Sequence, residues 1–279
     1  MEMTELYQRI VEEAERGDPV FPTHVEIGLR IKRALDDTDC SIDRAATLIQ
    51  AEPLLAARVV AMANSVVYNR GGREVTDVRH AVSRLGFRTL RSLTMSLVVR
   101  QMSGQSGDAR IKALAQQLWE HTAHVAALCH VIARRVTFQD PDTALFVGIL
   151  HEVAGFYLLA RAARHPELLD GDLAGWQGEG EALVGASLLR VLEVPEMVSS
   201  AIHDFWQGYL AIPPASLGDT LLLAEELAPV PSPLYWAPAP ETAQHAGRPQ
   251  LELVLDDETL TGILAESAEE VQSLIGALS

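Results

Sequence analysis

The sequence predicts an all-α protein of two packed helical subdomains, with a further C-terminal helix after a proline-rich connector. Three observations predict this fold. Apolar residues recur at helical spacing along almost the whole chain, strand-like alternation is nearly absent, and glycine, serine and proline are concentrated in a few short segments between the periodic stretches. With 279 residues, of which 48% are hydrophobic, the chain can also bury a substantial core.

The first subdomain is predicted to cover about residues 21–103, after an N-terminal helix within residues 1–20. Apolar side chains repeat at i, i+4, i+7 and i+8 from Ile27, and at i, i+3, i+4 and i+7 from Val78. Both patterns are typical of amphipathic helices. Gly86 directly follows the second pattern and is expected to end that helix in a left-handed conformation.

The second subdomain is predicted to cover about residues 109–228. Residues 103–108, with the sequence Ser-Gly-Gln-Ser-Gly-Asp, concentrate turn-forming side chains and mark the junction between the two subdomains. A long helix is expected over about residues 109–135. A short turn then leads into a helix that carries His151, and Asp142 is the expected N-cap of that helix.

A proline-rich connector and a C-terminal helix are predicted to follow. Six prolines fall between Pro229 and Pro249, which excludes a regular helix and predicts an extended connector over residues 229–250. Residues 251–279 are predicted to be helical, because apolar side chains repeat at alternating four- and three-residue steps with one polar interruption: Leu260, Leu264, Val271, Leu274 and Leu278. This stripe must be buried, either on the body of the same chain or against a second chain.

If it covers the body, deleting residues 257–279 should lower thermal stability without changing the oligomeric state. The sequence leaves both a monomer and a homodimer open.

The charge balance of the chain is strongly acidic. Thirty-eight acidic against 22 basic side chains give a formal net charge of −16, which repels phosphate backbones and anionic lipid. Direct binding to nucleic acid or to a membrane is therefore disfavoured. Three basic side chains, Arg84, Arg88 and Arg91, stand close to helical spacing. They could contact an anion or an acidic partner, or form an ordinary solvated helix face.

The sequence favours a cytoplasmic location. Its two cysteines, Cys40 and Cys129, do not make a disulfide framework, which is typical of a reducing compartment. No basic segment followed by an apolar core opens the chain, and no apolar run is expected to reach the roughly 20 residues that a membrane-spanning helix needs. No glycine-rich phosphate loop follows a strand, so no cofactor is expected.

Two segments contain side chains able to carry chemistry. Residues 118–124 contain His121, and residues 148–155 contain His151 and Glu152. A histidine on one helix and an adjacent histidine–carboxylate pair on another can meet at one metal ion, because imidazole and carboxylate suit first-row divalent ions. Such a metal could activate water for phosphoester hydrolysis. Catalysis would require a complete ligand set, and two or three ligands would bind the metal weakly.

These segments resemble the HDOD family, an HD-related output domain of bacterial signalling proteins. The resemblance runs from about Phe21 to Ala228 and rests on eight segments taken in order: Phe21-Pro22, 51–60, 63–65, 81–86, 118–121, 148–152, 184–186 and Val194-Pro195. It implies an all-helical fold in which an N-terminal helical subdomain packs on a second one similar to the HD phosphohydrolase core. It also implies a regulatory role, since members often lack the metal-binding set of the HD enzymes.

The sequence departs from the family pattern at three places near the histidines. Glu181 stands where the family frequently has a histidine, and Phe205-Trp206 stand where it frequently has a histidine pair. The aspartate after His151 has become Glu152. Glutamate can ligate a metal but phenylalanine and tryptophan cannot, so His121, His151, Glu152 and Glu181 are interpreted as the remnant of a metal centre whose other ligands are missing.

We therefore expect a regulatory module without catalytic residues, metal or cofactor. In this hypothesis His121 and His151 are buried histidines hydrogen-bonded to each other or to Glu152, and the chain transmits a state by contact with an unidentified signalling protein. Two alternatives stay open. One is a degenerate metal-dependent phosphohydrolase that uses the same residues with Glu181, and the other is a binding module that has kept a nucleotide ligand after losing its chemistry.

Overall fold

The computed structural model describes residues 3–15, 23–103, 107–169, 176–235 and 257–278. The regular secondary structure of these residues is helical, without strands, which confirms the predicted all-α class. Short turns of π- or 3-10-helix lie at Ala133–Thr137, Pro166–Leu169 and Trp176–Gly180. The α-helices in chain order are α1 (Met3–Glu15), α2 (Thr23–Asp36), α3 (Ile42–Gln50), α4 (Pro53–Asn64), α5 (Val78–Ser103), α6 (Ala109–Ile132), α7 (Pro141–Leu150), α8 (Val153–Ala162), α9 (Glu181–Val191), α10 (Glu196–Gln207), α11 (Leu217–Leu227) and α12 (Asp257–Leu278).

Helix α5 is the central helix of the N-terminal half, and α2, α3 and α4 all pack against it. It is interrupted at Gly86, whose φ of 71° and ψ of 169° lie outside the helical region. That combination is essentially confined to glycine, because a side chain would clash with the backbone. The predicted stop at Gly86 is therefore a break, after which the chain resumes a helix directly.

Helix α6 is the central helix of the C-terminal half and packs against α7, α8, α11 and α12. The backbones of α6 and α7 approach closely, since a Cβ atom built on Gly148 would lie 2.5 Å from the Cα atom of Ala126. Two residues, His151 and Glu152, separate α7 from α8. This close packing places the junction between α7 and α8 against the middle of α6.

The first turn of α7 joins the two halves of the fold. Asp140 caps this helix, because one of its side-chain oxygens accepts a hydrogen bond from the Thr143 N–H. The predicted cap, Asp142, is instead the second residue of the helix. The Asp142 carboxylate instead accepts a hydrogen bond from the Tyr68 hydroxyl of the N-terminal half. Arg88 of α5 pairs with Asp140 at 2.8 Å. Both aspartates of this turn are thus bound by side chains of the other half.

The two predicted subdomains share one core. Buried apolar side chains from both halves and from α1 form a single continuous cluster, and α5 packs against α7 and α8. Helix α1 lies on α9, where Glu15 accepts a hydrogen bond from Ser187. The predicted junction at 103–108 therefore lies between α5 and α6, which contribute to the same hydrophobic core. Residues 104–106 of the junction lie outside the described residues.

One apolar stretch, Pro141–Ala162, was not recognised from the sequence because His151 and Glu152 interrupt it. It is long and apolar enough to cross a membrane, with a mean hydropathy of 1.6, but 89% of its most apolar window is buried inside the protein. The core explains its apolar character. The fold is consistent with a soluble protein.

Helix α12 confirms the predicted C-terminal helix and packs against α6 and α4 of the same chain. Leu274 and Leu278 of the apolar stripe are fully buried there. The side chains of Leu260 and Leu264 lie outside the described residues, as do residues 236–256, which include most of the predicted connector. Val271 is partly buried against the same core, and the effect of deleting the helix stays a prediction.

Candidate functional site

Two buried histidines meet in the C-terminal half. His121 lies in the middle of α6, and His151 is the C-cap of α7. The close contact between Gly148 and Ala126 lies one turn before His151 and brings the two imidazoles together, with their Nε2 atoms 3.2 Å apart. The structure therefore contains the contact between buried histidines that the sequence leads us to expect.

Each imidazole is held in one orientation by a backbone carbonyl. His121 Nδ1 donates to the carbonyl oxygen of Val230 at 2.7 Å, and His151 Nδ1 donates to that of Gly148 at 2.6 Å. A carbonyl oxygen can only accept, so the proton of each neutral ring lies on Nδ1 and its Nε2 keeps a lone pair. Both Nε2 atoms therefore face the same small volume, in the orientation that metal-bound histidines adopt.

Two glutamates complete the group of side chains around this volume. Glu152 is fully buried, with its Oε1 atom 3.8 Å from His121 Nε2. Glu225 comes from α11, and its Oε2 atom lies 3.2 Å from His121 Nε2 and 3.5 Å from His151 Nε2. We call these four residues the His–Glu centre. Its members come from α6, the α7–α8 junction and α11.

Glu225 was not predicted from the sequence, and its presence corrects the expectation that the further ligands are missing. A signal for it does exist: Glu225 and Glu226 lie near the C-terminal end of α11, after an apolar stretch, where the helix dipole disfavours negative charge. A carboxylate in such a place needs a compensating positive group. At the opposite, N-terminal end of α11, Ser216 and Asp219 form a capping box that fixes the start of the helix.

Glu181, the remaining member of the predicted set, lies beside the His–Glu centre. It is buried in the first turn of α9, and it accepts a hydrogen bond from the Tyr235 hydroxyl at 2.9 Å. Burial raises the pKa of Glu181 well above its ordinary value, and the charge of Glu152 raises it further. Glu181 therefore belongs to the wall of the centre, where the Tyr235 hydroxyl rather than a histidine binds it.

Phe205 and Trp206 of α10 form another part of this wall. The Phe205 ring stands perpendicular to the His151 imidazole, with the ring centroids 6.0 Å apart. Trp206 packs on a glycine of α9, where a Cβ atom would lie 2.4 Å from an indole carbon. His203 and Asp204 are exposed to solvent and do not replace the aromatic pair. This turn of α10 contributes packing rather than ligands.

Residues 230–235, which we call the strap, cross over the His–Glu centre. The first and last residues of the strap make the hydrogen bonds to the histidine of α6 and the glutamate of α9 described above. Between them, Ser232 and Leu234 are buried, and Leu234 fills the space next to Gly155, where a Cβ atom would lie 2.6 Å from it. The strap lies within the predicted connector, 229–250, yet it packs on the body.

Burial and neighbouring charges shift the pKa values of three members of the His–Glu centre. Burial raises the pKa of Glu152 to about 7, although His121 and the Ser232 hydroxyl act in the opposite direction. Burial lowers the pKa of His151 to about 4. Burial also disfavours the charged form of His121, but the hydrogen bond and charge of Glu225 outweigh it and raise the His121 pKa to about 9. Without a metal, His121 is thus the cation of the centre.

The metal-free protein is expected to lose stability as the pH rises from 7 to 9. The His121 pKa is about 9 in the fold against an ordinary value of 6.5, so its proton stabilises the fold below the lower value and this contribution is lost through the higher one. Below pH 7 the shifts of Glu152 and His151 oppose each other. Urea unfolding with a chelator should show a loss on the order of 2–3 kcal/mol between pH 7 and pH 9, absent in His121→Gln. A wild-type protein equally stable at both pH values would contradict the shift.

The residues of the His–Glu centre fit a divalent transition metal. Ligand atoms of a tetrahedral site with bonds of about 2.1 Å lie about 3.4 Å apart, and the separations among His121 Nε2, His151 Nε2 and Glu225 Oε2 are 3.2, 3.2 and 3.5 Å. Glu152 is fully buried with its Oε1 atom 3.8 Å from His121 Nε2, so this side chain can serve as a fourth ligand. Imidazole and carboxylate donors suit zinc, manganese and iron.

The three arginines predicted to contact an anion or a partner do not form one site. Arg84 donates to two backbone carbonyl oxygens outside its own helix, at 3.1 and 3.0 Å. Arg88 and Arg91 pair with aspartates from elsewhere in the fold, at 2.8 and 3.4 Å. Because Gly86 breaks the helix between Arg84 and Arg88, these two side chains do not lie on one continuous helix face. Arg88 and Arg91 line one cavity together with Lys32, whereas Arg84 lines a different one.

The fold and its buried histidine–carboxylate centre define a helical domain with the architecture of HD-type phosphohydrolases. Residues 21–206 match the family model of the HDOD domain, and the chain belongs to this family. A comparison with curated protein sequences finds no match.

Solved structures share this fold over most or all of the chain. A proposed metal-dependent phosphohydrolase from Shewanella amazonensis SB2B superimposes with a TM-score of 0.70 at 18% identity, covering 99% of both chains. An HDOD domain protein of unknown function from Geobacter sulfurreducens gives 0.63 at 22% identity, also over 99% of both chains. A proposed signal transduction protein from Marinobacter aquaeolei VT8 gives 0.57 at 20% identity, over 92% of this chain and 60% of that one. At these identities the likeness shows the fold alone.

Proposed function

We propose that the chain is a regulatory signalling module that acts by binding a partner protein and does not hydrolyse phosphoesters. The observation that carries the proposal is the burial of three of the four members of the His–Glu centre, since His121, His151 and Glu152 each have 0% of their surface exposed. A catalytic metal keeps one coordination position open for water or substrate, whereas a structural metal is closed. Buried ligands of this kind fit a closed centre.

In this proposal the strap and the aromatic wall of Phe205 and Trp206 keep a substrate away from the His–Glu centre. For a phosphoester to enter from the side of the strap, the strap would have to release its hydrogen bonds to His121 and Glu181 and withdraw Leu234 from the core. Those changes would leave buried polar groups without partners, which costs free energy. The resting structure therefore favours an inert centre.

A closed centre still has a role in a binding module, because it joins four separate parts of the fold. His121, the His151–Glu152 junction, Glu225 and the strap meet there. A metal held by these residues would supply a cross-link between them and would stabilise one shape of the domain. Membership of the HDOD family and the likeness to a proposed signal transduction protein support a regulatory role.

Chemical labelling of histidines tests the enclosure. Diethylpyrocarbonate modifies histidines that solvent reaches, so His80 and His203, which are exposed, should react in the native protein. His121 and His151 should react at least about tenfold more slowly, because reaction requires local opening of the structure. Mass spectrometry of the digested protein reads out all four sites at once. Modification of His151 as fast as His203 would contradict a closed centre.

The second candidate is a degenerate metal-dependent phosphohydrolase, and the presence of Glu225 as a fourth donor favours it. The Glu225 Oε2 atom lies 3.2 Å from His121 Nε2. Glu225 thereby offers a further metal ligand of the kind that the sequence was interpreted as lacking. This function would require the strap to open for each turnover. A turnover assay on the metal-loaded protein separates the two functions.

A further inference from the structure

A cavity lies at the boundary between the two halves of the fold, and we call it the boundary cavity. Residues of α2 and α5 line it together with residues of α7 and α10. Its volume is about 150 Å³, which is similar to that of an engineered protein cavity that holds one benzene molecule. Its described lining residues include no member of the His–Glu centre, so the boundary cavity is a separate place in the fold.

Lys32 of α2 is the buried cation of the boundary cavity, with only 4% of its surface exposed. Its ammonium donates to the backbone carbonyl of Glu193 at 2.9 Å and pairs with Asp36 Oδ2 at 3.0 Å. An ammonium carries three N–H donors. One donor therefore has no acceptor among the described residues, and a ligand in the cavity can supply that acceptor.

Arg91 of α5 lies on the other side of the same carboxylate. Its NH1 atom is 3.4 Å from Asp36 Oδ1, and the Arg91 side chain is 34% exposed. A guanidinium has a planar fork of donors that matches the two oxygens of a carboxylate or the oxygens of a phosphate. Lys32 and Arg91 thus form two sides of a site for an acidic group, and Asp36 fills that site in the resting structure.

The charges around the boundary cavity balance when Asp36 is in place. Arg88 also lines the cavity, and it pairs with Asp140 at 2.8 Å. Asp142 lines it as well, and its carboxylate accepts a hydrogen bond from the Tyr68 hydroxyl. Three cations thus face three carboxylates. An anion therefore binds here by exchange with one of the carboxylates rather than by net attraction.

Asp36 is the carboxylate that an incoming anion can replace. It is the last residue of α2, where the helix dipole disfavours a negative charge. Its side chain is 36% exposed, so it can turn to solvent and regain hydration without leaving a buried charge behind. Lys32, in contrast, cannot reach bulk water from its buried position and gains most from a new acidic partner.

The remaining wall of the boundary cavity is apolar. Phe146 of α7 and Val198 of α10 are buried side chains of this wall, and Met197 beside them is 66% exposed. An unbranched methionine adapts its shape to what lies against it. A cavity with a few charged groups on one side and apolar side chains on the other fits a ligand that has a compact apolar body and one polar head.

We propose that the boundary cavity binds a small organic anion, whose carboxylate or phosphate replaces Asp36 between Lys32 and Arg91 and whose apolar body lies against Phe146 and Val198. This ligand site is additional to the proposed partner binding and does not depend on it. Because both halves of the fold line the cavity, a bound anion would contact both and stabilise the folded chain by mass action.

The test uses the full chain with benzoate, phenyl phosphate and benzamide, which is a neutral analogue of benzoate with nearly the same shape. A ligand of about nine non-hydrogen atoms is expected to bind with a Kd of about 10 mM or tighter. Saturation-transfer NMR titrations should show that benzoate or phenyl phosphate binds at least about tenfold more tightly than benzamide. Tighter binding of benzoate assigns a carboxylate head, and tighter binding of phenyl phosphate assigns a phosphate head.

Substitutions on the two sides of the exchange separate the boundary cavity from other sites. Asp36→Asn removes the competing charge, so the anion that binds should bind about fivefold or more tightly, and Arg91→Gln should weaken it about tenfold. Arg79 and Asp43 form an exposed ion pair at 2.6 Å, and they supply the matched controls. Arg79→Gln and Asp43→Asn should each leave the affinity unchanged.

Circular dichroism checks that each variant keeps its helical fold. The proposal is overturned if neither anion binds at about 10 mM, or if both bind no more tightly than benzamide. It is also overturned if Arg91→Gln and Arg79→Gln have the same effect, or if Asp36→Asn gives no gain over Asp43→Asn. None of these titrations measures phosphoester turnover or partner binding, so each of these outcomes would leave the proposed function untouched.

Discussion

Replacing His121 with alanine is expected to destabilise the protein by about 3–5 kcal/mol, because it removes one partner of a buried ion pair and leaves the other uncompensated. In the metal-free protein the His121 imidazolium is the positive group next to Glu225 and Glu152. In a metal-loaded protein the same substitution removes a ligand. Either state of the centre therefore depends on this side chain, and chemical denaturation at pH 7 measures the loss.

The matched control for His121→Ala is His124→Ala, one turn later on α6. The His124 ring is partly exposed, and its recorded hydrogen bond runs from Nδ1 to the Glu120 carbonyl of the same helix at 2.8 Å. We expect its removal to change the free energy of unfolding by less than about 0.5 kcal/mol. Equal losses in the two variants would mean that the His–Glu centre contributes nothing specific to stability.

The second large effect is expected for Gly148→Ala. The added Cβ atom would lie 2.5 Å from the Cα atom and 3.0 Å from the backbone nitrogen of Ala126, and backbone atoms cannot rotate out of the way. Helix α7 must then move away from α6, which costs about 1–3 kcal/mol or more. The movement also separates His121 from His151, so the variant should lose any metal-dependent increase in melting temperature along with part of its stability.

Gly276→Ala in α12 is the control for this substitution, since nothing lies within 4 Å of the added Cβ atom. There alanine should raise stability by up to about 1 kcal/mol, because it reduces the backbone entropy of the unfolded chain. Thermal unfolding of the two variants beside wild type gives both results. A Gly148→Ala protein as stable as wild type would contradict the close packing of α6 on α7.

Local patterns predicted the helices, because helical periodicity depends on neighbouring residues. The periodicity around Ile27 and Val78 reports which face of each helix is buried, but no local pattern showed that the helix predicted to carry His151 ends there. His121 and His151 lie on different helices, and they were expected to meet because such side chains can share a metal ion.

Glu225 escaped prediction because its role depends on how α11 packs against α6. Sequence spacing gives the face of a helix on which a side chain lies, but not which distant helix it meets. The arginines show the converse: Arg84 and Arg88 stand at helical spacing, yet the positive φ of Gly86 between them breaks the helix and separates their directions. Pro231 and Pro233 lie in the strap, but the run of prolines does not reveal that the strap packs over the centre.

Turnover of phosphoesters by the metal-loaded full chain tests the central claim most directly. Purified protein is incubated with manganese, iron or magnesium and with cyclic dinucleotides, guanosine tetraphosphate or bis-p-nitrophenyl phosphate, beside His151→Ala treated identically. The account predicts that wild type and His151→Ala give the same background rate, because three of the four members of the His–Glu centre, His121, His151 and Glu152, are fully buried. Metal-dependent hydrolysis by wild type that His151→Ala abolishes would contradict the account and establish the chain as an enzyme.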